Sequence, residues 1–424
     1  MDGGLYRQKI TGYPLYKERL SKTGIDLVGA LLALDIALLT QVACNLGTVI
    51  APKKRGGLPM RFYLFILFSI FLSKPKAFAY QDSVTIAAST HYNTRSVTRR
   101  AFIGNNYRST WTIPVKMPVF DIRSAHGGMI IVKQGGQQTK SLYLQDKDGV
   151  NWVMRSVDKS FEKAMPTMVK KTFLKRYFQD MISASYPYGA LIVAVLAKAL
   201  GLHAPDPKLF YIPDDAALGS YRHAFAHTVC MLEEVEPGFE KTVTQNTDTV
   251  LKRIQASKEY RVDDTTYLEI RLLDMLIADW DRHKDQLKWG VVKDQAGTVF
   301  YPIPRDRDQA FYLSTGLSMK VIHLFGIKYM AGFTASTSKL RYLNYKSWEL
   351  DRILLQHLDE KDWRSIIRTF QQTLSDDVLL RAVNCLPAEV RQQDAGMILK
   401  KLKARRDNLP KDALKYYAFI KNDH

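Results

Sequence analysis

A chain of 424 residues, 46% apolar and 24% charged, has enough hydrophobic sequence for one bilobal core or two modest domains, which excludes a fibrous or wholly disordered polymer. Its formal charge of +19 favours anionic partners such as nucleotide phosphates, phospholipid surfaces, acidic glycans or nucleic acid, and is equally compatible with a solubility surface. Cys44, Cys230 and Cys385 stand far apart without metal-ligand spacing, which excludes a Cys/His zinc cluster and leaves the last two as one bridge in an oxidising compartment or as two buried thiols.

Residues 60–79 read MRFYLFILFSIFLSKPKAFA. A basic residue, Arg61, precedes an apolar run over 62–73, and Ala77-Phe78-Ala79 supplies small residues two apart. This is the three-part order of a secretory signal peptide cleaved after Ala79. Translation is then expected to start at Met60, with 1–59 an upstream extension, and the product to be exported to the periplasm or cell envelope. The alternative makes 25–51 and 62–72 membrane anchors around Lys53-Lys54-Arg55. Against it, the second run is short for a bilayer crossing, and Asp26 and Asp35 interrupt the first.

Residues 80–120 are polar and mixed, with Arg95, Arg99 and Arg100, and read as a strap or loose extension. Beyond them, 129–133 and 140–144 alternate or run apolar around Gly135-Gly136-Gln137-Gln138-Thr139, and Asp146-Lys147-Asp148-Gly149 makes a turn before a third strand over 152–157. Helical periodicity from Phe161 strengthens over 168–202 and breaks at Tyr186-Pro187-Tyr188, which predicts two helices. Strands are expected over 209–212 and 226–232. The acidic stretch 233–236 and Pro237-Gly238 then mark a linker between a small lobe over 121–236 and a helical lobe over 237–424.

In the second lobe, 267–277 gives an apolar helix face, and 287–292 with 299–303 a strand pair. Over 345–417 apolar residues recur every three or four positions, and Pro387 and Pro410 divide the helices. The run Lys400, Lys401, Lys403, Arg405 and Arg406, with Tyr345 and Trp348 in the same region, reads as a solvated helix face in preference to a nucleic-acid surface, because no nucleic-acid motif accompanies it.

Two acidic segments carry the chemistry. Asp279-Trp280-Asp281-Arg282-His283-Lys284-Asp285-Gln286 follows the apolar helix, and Arg305-Asp306-Arg307-Asp308-Gln309-Ala310-Phe311 follows the second strand of the pair. A hairpin between them would return the second cluster to the first. One carboxylate orienting a hydroxyl, with another carboxylate and an amide oxygen on Mg²⁺, is what phosphoryl transfer requires. Two surface salt-bridge clusters are the plainer alternative.

The order of these motifs resembles the atypical kinase superfamily of phosphoinositide kinases, secretory-pathway FAM20-type kinases and HipA-like bacterial kinases. The resemblance covers roughly residues 127–311. It implies an α+β, bilobal, atypical protein-kinase-like fold with a β-rich N-lobe and a helical C-lobe, and Mg-ATP-dependent phosphoryl transfer to a protein, glycan or lipid hydroxyl. By the same resemblance Asp281 is the catalytic carboxylate, with Arg282 and His283 organising its loop. Asp306 is the principal metal ligand, Gln286 a weaker one and Asp308 a reserve.

Gly135 and Gly136, with Lys140, would bend backbone around phosphate. Arg155, or Lys159 in its place, would contact phosphate from the third strand, with Asp180 as a candidate partner. Cys230-Met231-Leu232-Glu233-Glu234 would lie beside adenine, Met231 and Glu233 included. Gly135 to Leu142, 155–159 and 402–406 are also similar to exported proteins of Bacteroidetes-type bacteria, some of them joined to metallophosphoesterase or outer-membrane-barrel domains. That similarity implies an envelope complex as the setting, and a catalytically impaired nucleotide-binding scaffold as the alternative role.

Overall fold

A computed structural model of the protein describes residues 82–94, 96–136, 139–160, 173–239, 243–324, 330 and 332–422. The upstream extension, the signal peptide and both candidate membrane segments lie outside these residues, as do Gln137 and Gln138 of the glycine loop. Among the described residues no single helix is long and apolar enough to cross a membrane.

The architecture is α+β, with every strand of the described residues before residue 305 and a helical C-terminal part after it, as the sequence predicts. Its central unit is an antiparallel five-stranded sheet of β3 (Met129–Gly135), β4 (Ser141–Asp146), β5 (Asn151–Ser156), β6 (Lys208–Ile212) and β7 (Thr228–Glu234), in the order β3-β4-β5-β7-β6. The alternation read from the sequence explains its two faces. Leu142, Leu144, Met154, Cys230 and Leu232 point to one side and form a small core with Phe120, Ile122, Ile212 and Phe225. Val153, Arg155 and Val157 face the other way, as do Val229, Met231 and Glu233 of the paired strand, because the register sets Val153 opposite Glu233 and Arg155 opposite Met231.

The segment before this sheet is not a loose strap. β1 (Ser83–Ala87) pairs with β2 (Pro114–Pro118) across α1 (Val97–Ile103) and α2 (Arg108–Thr112). Tyr92, Trp111, Val115 and Met117 are buried in the main core, so burial of large apolar groups outweighs the polar composition that suggested an extension. Two helices follow β5, α3 (Phe173–Met181) and α4 (Gly189–Ala199), and they break at Tyr186-Pro187-Tyr188 as expected. The sequence of α4, GALIVAVLAKA, is apolar nearly all round, which suits a helix packed under a sheet.

A short α5 (Arg222–Phe225) precedes β7, which runs on through Glu234, so the acidic stretch expected as linker begins inside the strand. In the second part α6 (Thr247–Ala256) and α7 (Asp264–Ile277) precede the hairpin of β10 (Leu287–Asp294) and β11 (Gly297–Pro304), which β8 (Gln245–Asn246) and β9 (Tyr260–Val262) extend. Helices α8 (Leu317–Leu324), α9 (Leu340–Leu343), α10 (Trp348–Leu354), α11 (Glu360–Thr373), α12 (Asp376–Asn384) and α13 (Ala388–Lys421) complete it. Pro387 separates α12 from α13 as expected, but Pro410 lies inside α13 and divides nothing. Cys230 and Cys385 are free thiols, the first buried and the second exposed.

Candidate active-site cleft

The β10–β11 hairpin sets the two acidic segments side by side. Leu287 pairs with Pro304 at its base, so Gln286 and Arg305 are neighbours, and the Arg305 amide donates to the Gln286 carbonyl at 2.9 Å. Arg282 staples them further. Its buried guanidinium donates to the Arg305 carbonyl at 2.6 Å and to the Gln286 carbonyl at 3.2 Å. The organising role expected of Arg282 thus has a concrete geometry.

Beneath this junction lies a charged network that the sequence reading missed. Asp274, wholly buried on α7, accepts from Arg271 at 2.5 Å, from Arg282 at 3.2 Å and from Arg307. Burial pushes its carboxyl up, but the three guanidinium groups outweigh that and hold it below the usual range. Asp279 is buried beside it, accepting from Arg282 at 3.2 Å, and its carboxyl is pushed up to about 6 by burial. The available signal was Arg271 and Asp274 in the otherwise apolar stretch 270–277, spaced i,i+3, which places them on one face.

The helix that carries Asp274 ends abruptly. Ala278 takes a left-handed conformation (φ +56°), and Arg405 from α13 reaches the open carbonyls of Met275 and Leu276, at 2.5 and 2.6 Å. Arg405 also donates to Thr334 and Ser336 carbonyls. The basic run expected to be a solvated helix face is therefore partly structural. Lys403 and Arg406 pair with Asp376, and Arg405 is buried without a carboxylate partner, so burial pushes its pKa down to about 9.

Above the network a cleft opens between the sheet and the helices. Arg155, Met231 and Glu233 line it from the sheet, Pro187 and Ala190 from the start of α4, and Asp306, Arg307 and Asp308 from the loop after β11. The loop has two left-handed residues, Asp306 (φ +55°) and Phe311 (φ +62°), a conformation that side chains with a Cβ adopt at some cost and that is enriched at functional sites. The Phe311 amide donates to the Ile277 carbonyl at 2.9 Å. Gly189 lets α4 approach closely, since a Cβ there would sit 3.2 Å from the Ala310 carbonyl oxygen and the Phe311 ring.

Cations from the sheet meet these carboxylates. Arg155 lies 3.2 Å from Glu233 and 3.4 Å from Asp306, and Lys159 is 2.7 Å from Asp308. Arg155 and Lys159 were alternatives for one role, and the cleft holds both. Burial and the neighbouring Asp308 raise the Asp306 pKa, whereas Lys159 outweighs the burial of Asp308 and lowers its pKa. Glu233 is also raised by burial. Its carboxylate is engaged with Arg155 on the strand itself, which corrects its placement in a linker beside adenine. Asp180 is not the partner of Arg155. It is buried against Arg99 and Arg108 of the N-terminal segment, with Arg108 Nη1 at 2.7 Å.

Other expected residues divide. Gly136 has φ +87°, and a Cβ there would lie 1.9 Å from the Thr139 carbonyl oxygen, so only glycine makes this turn, while Thr139 lines the cleft. Gly135 ends β3, where a Cβ would press on the Tyr143 ring at 3.0 Å. Lys140 leaves the group, because its ammonium donates to the Ala224 carbonyl at 2.8 Å. His283 is half-exposed, 3.6 Å from Asp285. Asp281 is not in the lining of the cleft. Its carboxylate is ion-paired with Lys346, whose ammonium also lies over the Trp280 ring at 4.9 Å.

For Mg²⁺ the expected donors divide, since Asp306 and Asp308 line the cleft and Gln286 does not. Gln286 is buried, and its Oε1 has no hydrogen-bond donor, an open acceptor next to the Asp306 loop. Among the described residues no three of His, Cys, Asp and Glu gather as a metal site. Two carboxylates and an amide oxygen nevertheless suit Mg²⁺, which keeps waters and binds substrate phosphates beside few protein oxygens.

No family model matches the chain, and no curated protein does. Among solved structures it is similar to the Helicobacter pylori proinflammatory kinase CtkA, at 11% identity over 65% of this chain and 94% of that one, with a TM-score of 0.34. It is also similar to the Golgi casein kinase, at 13% identity over 89% of this chain and 95% of that one, with a TM-score of 0.32. Superpositions this loose carry no functional weight, and the residues of the cleft must supply it.

Proposed function

We propose that the cleft binds a nucleotide with Mg²⁺ and transfers its terminal phosphoryl group to a hydroxyl of an envelope protein, glycan or lipid. One observation carries this reading: Arg155 and Lys159 from the sheet converge on Asp306 and Asp308 of the hairpin-borne loop, within one cleft. Part-buried, oppositely charged groups at an opening are poised to exchange partners, because a phosphate that enters competes with Asp306 and Asp308 for both cations. Mg²⁺, when bound, would be held by Asp306, Gln286 and Asp308 and would neutralise charge on the phosphates.

Each residue then has a task. Arg155 and Lys159 hold phosphate oxygens and oppose charge that builds during transfer. Glu233 keeps Arg155 extended along the sheet. Arg282 holds the two acidic segments in register through backbone carbonyls of both. Asp281, on the same loop as Arg282, is the carboxylate available to accept a hydroxyl proton once Lys346 releases it.

A nucleotide-binding scaffold without transfer is the second reading, and the Lys346–Asp281 ion pair favours it, because a paired carboxylate is a poor base. The test is magnesium-dependent ATP binding by the full chain and transfer of the γ-phosphate to an envelope extract, beside Asp306→Asn and Asp281→Ala. We expect Asp306→Asn to abolish magnesium-dependent binding, and Asp281→Ala to keep binding but lose transfer by about a hundredfold or more. Equal activity in all three proteins sinks the proposal, and binding without transfer in the wild type selects the scaffold.

A further inference from the structure

Of the three cations that line the cleft, two are ion-paired with carboxylates there, although Arg155 Nε is itself buried without a hydrogen bond. Arg155 has Glu233 and Asp306, and Lys159 has Asp308. Arg307 differs. It is over nine-tenths buried, and only its Nη1 has a partner, the Asp274 carboxylate, which Arg271 and Arg282 share. Its Nε and Nη2 are buried with no acceptor.

A buried N–H without an acceptor costs more than a typical hydrogen bond returns, and a guanidinium leaves two such groups here on one edge of its planar fork. The position adds to this. Arg307 lines both the main cleft and a small adjoining pocket, which Glu233 and Asp306 also line and whose other wall is apolar, with Ala194, Ala197 and Pro205.

We infer that Arg307 is an oxyanion receptor, its Nε and Nη2 taking two oxygens of a phosphate group at the seam between the two cavities. Asp274 holds the guanidinium through Nη1, which leaves the Nε–Nη2 edge as the side able to make a bidentate contact. Phosphate, and not a carboxylate, is the class chosen because Arg155 and Lys159 stand in the same cleft, and that choice rests on the nucleotide reading above. The site is a separate claim from transfer, since an anion can bind whether or not chemistry follows.

The experiment is calorimetric titration of the full chain with pyrophosphate, with Mg-ADP and with adenosine, for wild type, Arg307→Lys and Arg307→Gln. Lysine keeps a cation for Asp274 but has no fork. We expect pyrophosphate and Mg-ADP affinity to fall at least tenfold in Arg307→Lys and further in Arg307→Gln, with adenosine binding unchanged in both. Arg307→Lys that binds pyrophosphate as tightly as wild type overturns the inference, as does a wild type that binds no pyrophosphate. A wild type that binds pyrophosphate through Arg307 but neither Mg-ADP nor adenosine supports the receptor and sinks the nucleotide reading. Should the variants fail to fold, wild-type crystals soaked in pyrophosphate decide the matter, supporting the site if phosphate oxygens lie on Nε and Nη2 and overturning it if the anion lies elsewhere.

Discussion

The two acidic segments start and end one hairpin, yet they are held by different parts of the molecule. Asp306 and Asp308 face Arg155 on β5 and Lys159 just beyond the end of that strand, whereas Asp281 faces Lys346 from the helical part. The backbone joining them is fixed from below by Arg282 and Asp274, both buried. Sequence proximity and shared charge therefore predict little about how tightly a carboxylate is held. What decides it is the depth at which its partner sits, since a buried pair is screened little and a half-exposed one a good deal.

The largest break in this comparison is Asp274→Ala. It leaves Arg271, Arg282 and Arg307 buried without their shared carboxylate, a change expected to cost about 3–5 kcal/mol. Asp281→Ala removes a half-exposed pair and should cost under about 1 kcal/mol. Urea denaturation of both variants measures the contrast directly, and an Asp274→Ala protein with the wild-type midpoint would show that the network is not what holds the hairpin.

Much of this was legible in the sequence, and the part that was not has a physical reason. Strands over 129–156 and the hairpin at 287–303 were readable because alternation and turn residues are local signals. Arg155 was placed on the third strand by the same alternation, but its partner Glu233 was not found. That pairing needs the knowledge that β5 neighbours β7 and not β6, a long-range fact. Asp180 was near in sequence and proved to be committed to Arg108 instead. Arg405 was invisible for a related reason. A basic residue among other basic residues on a helix reads as solvated until another helix is known to end against it. The N-terminal segment misled through its polar composition, although Tyr92 and Trp111 were the clue that it carries core residues.

A smaller effect separates the two carboxylates of the buried network. Asp274 is held down by three arginines, but burial pushes Asp279 up to about 6 from an ordinary carboxyl value near 3.8. A folded-state pKa above the unfolded one means that the folded protein binds the extra proton between those values. Stability therefore falls as pH rises from about 4 to about 6 and is level above it, by at most about 3 kcal/mol for this group. Asp279→Asn should lack that fall, so the difference between the two proteins' denaturation midpoints will shrink steadily as the buffer is lowered from pH 7 to pH 4. A difference constant over that range would mean that Asp279 is charged throughout and that Arg282 compensates its burial fully.

The smallest effect on stability, and the most pointed for function, comes from Lys346→Met. Methionine keeps the apolar stem against Trp280 and removes only the ammonium, and with both ion-pair partners part-exposed the stability change should stay within about 1 kcal/mol. Asp281 loses its cation, however, and a carboxylate without a paired ammonium accepts a hydroxyl proton more readily. If the ion pair is a latch, transfer to the envelope extract rises in Lys346→Met while ATP binding is unchanged, because Lys346 does not line the cleft. If transfer falls instead, Lys346 orients Asp281 for its task and the half-exposed pair is part of the working site. Either direction separates Asp281 from the Asp306 loop, where loss of the partner cation, as in Lys159→Met, should weaken ATP binding itself.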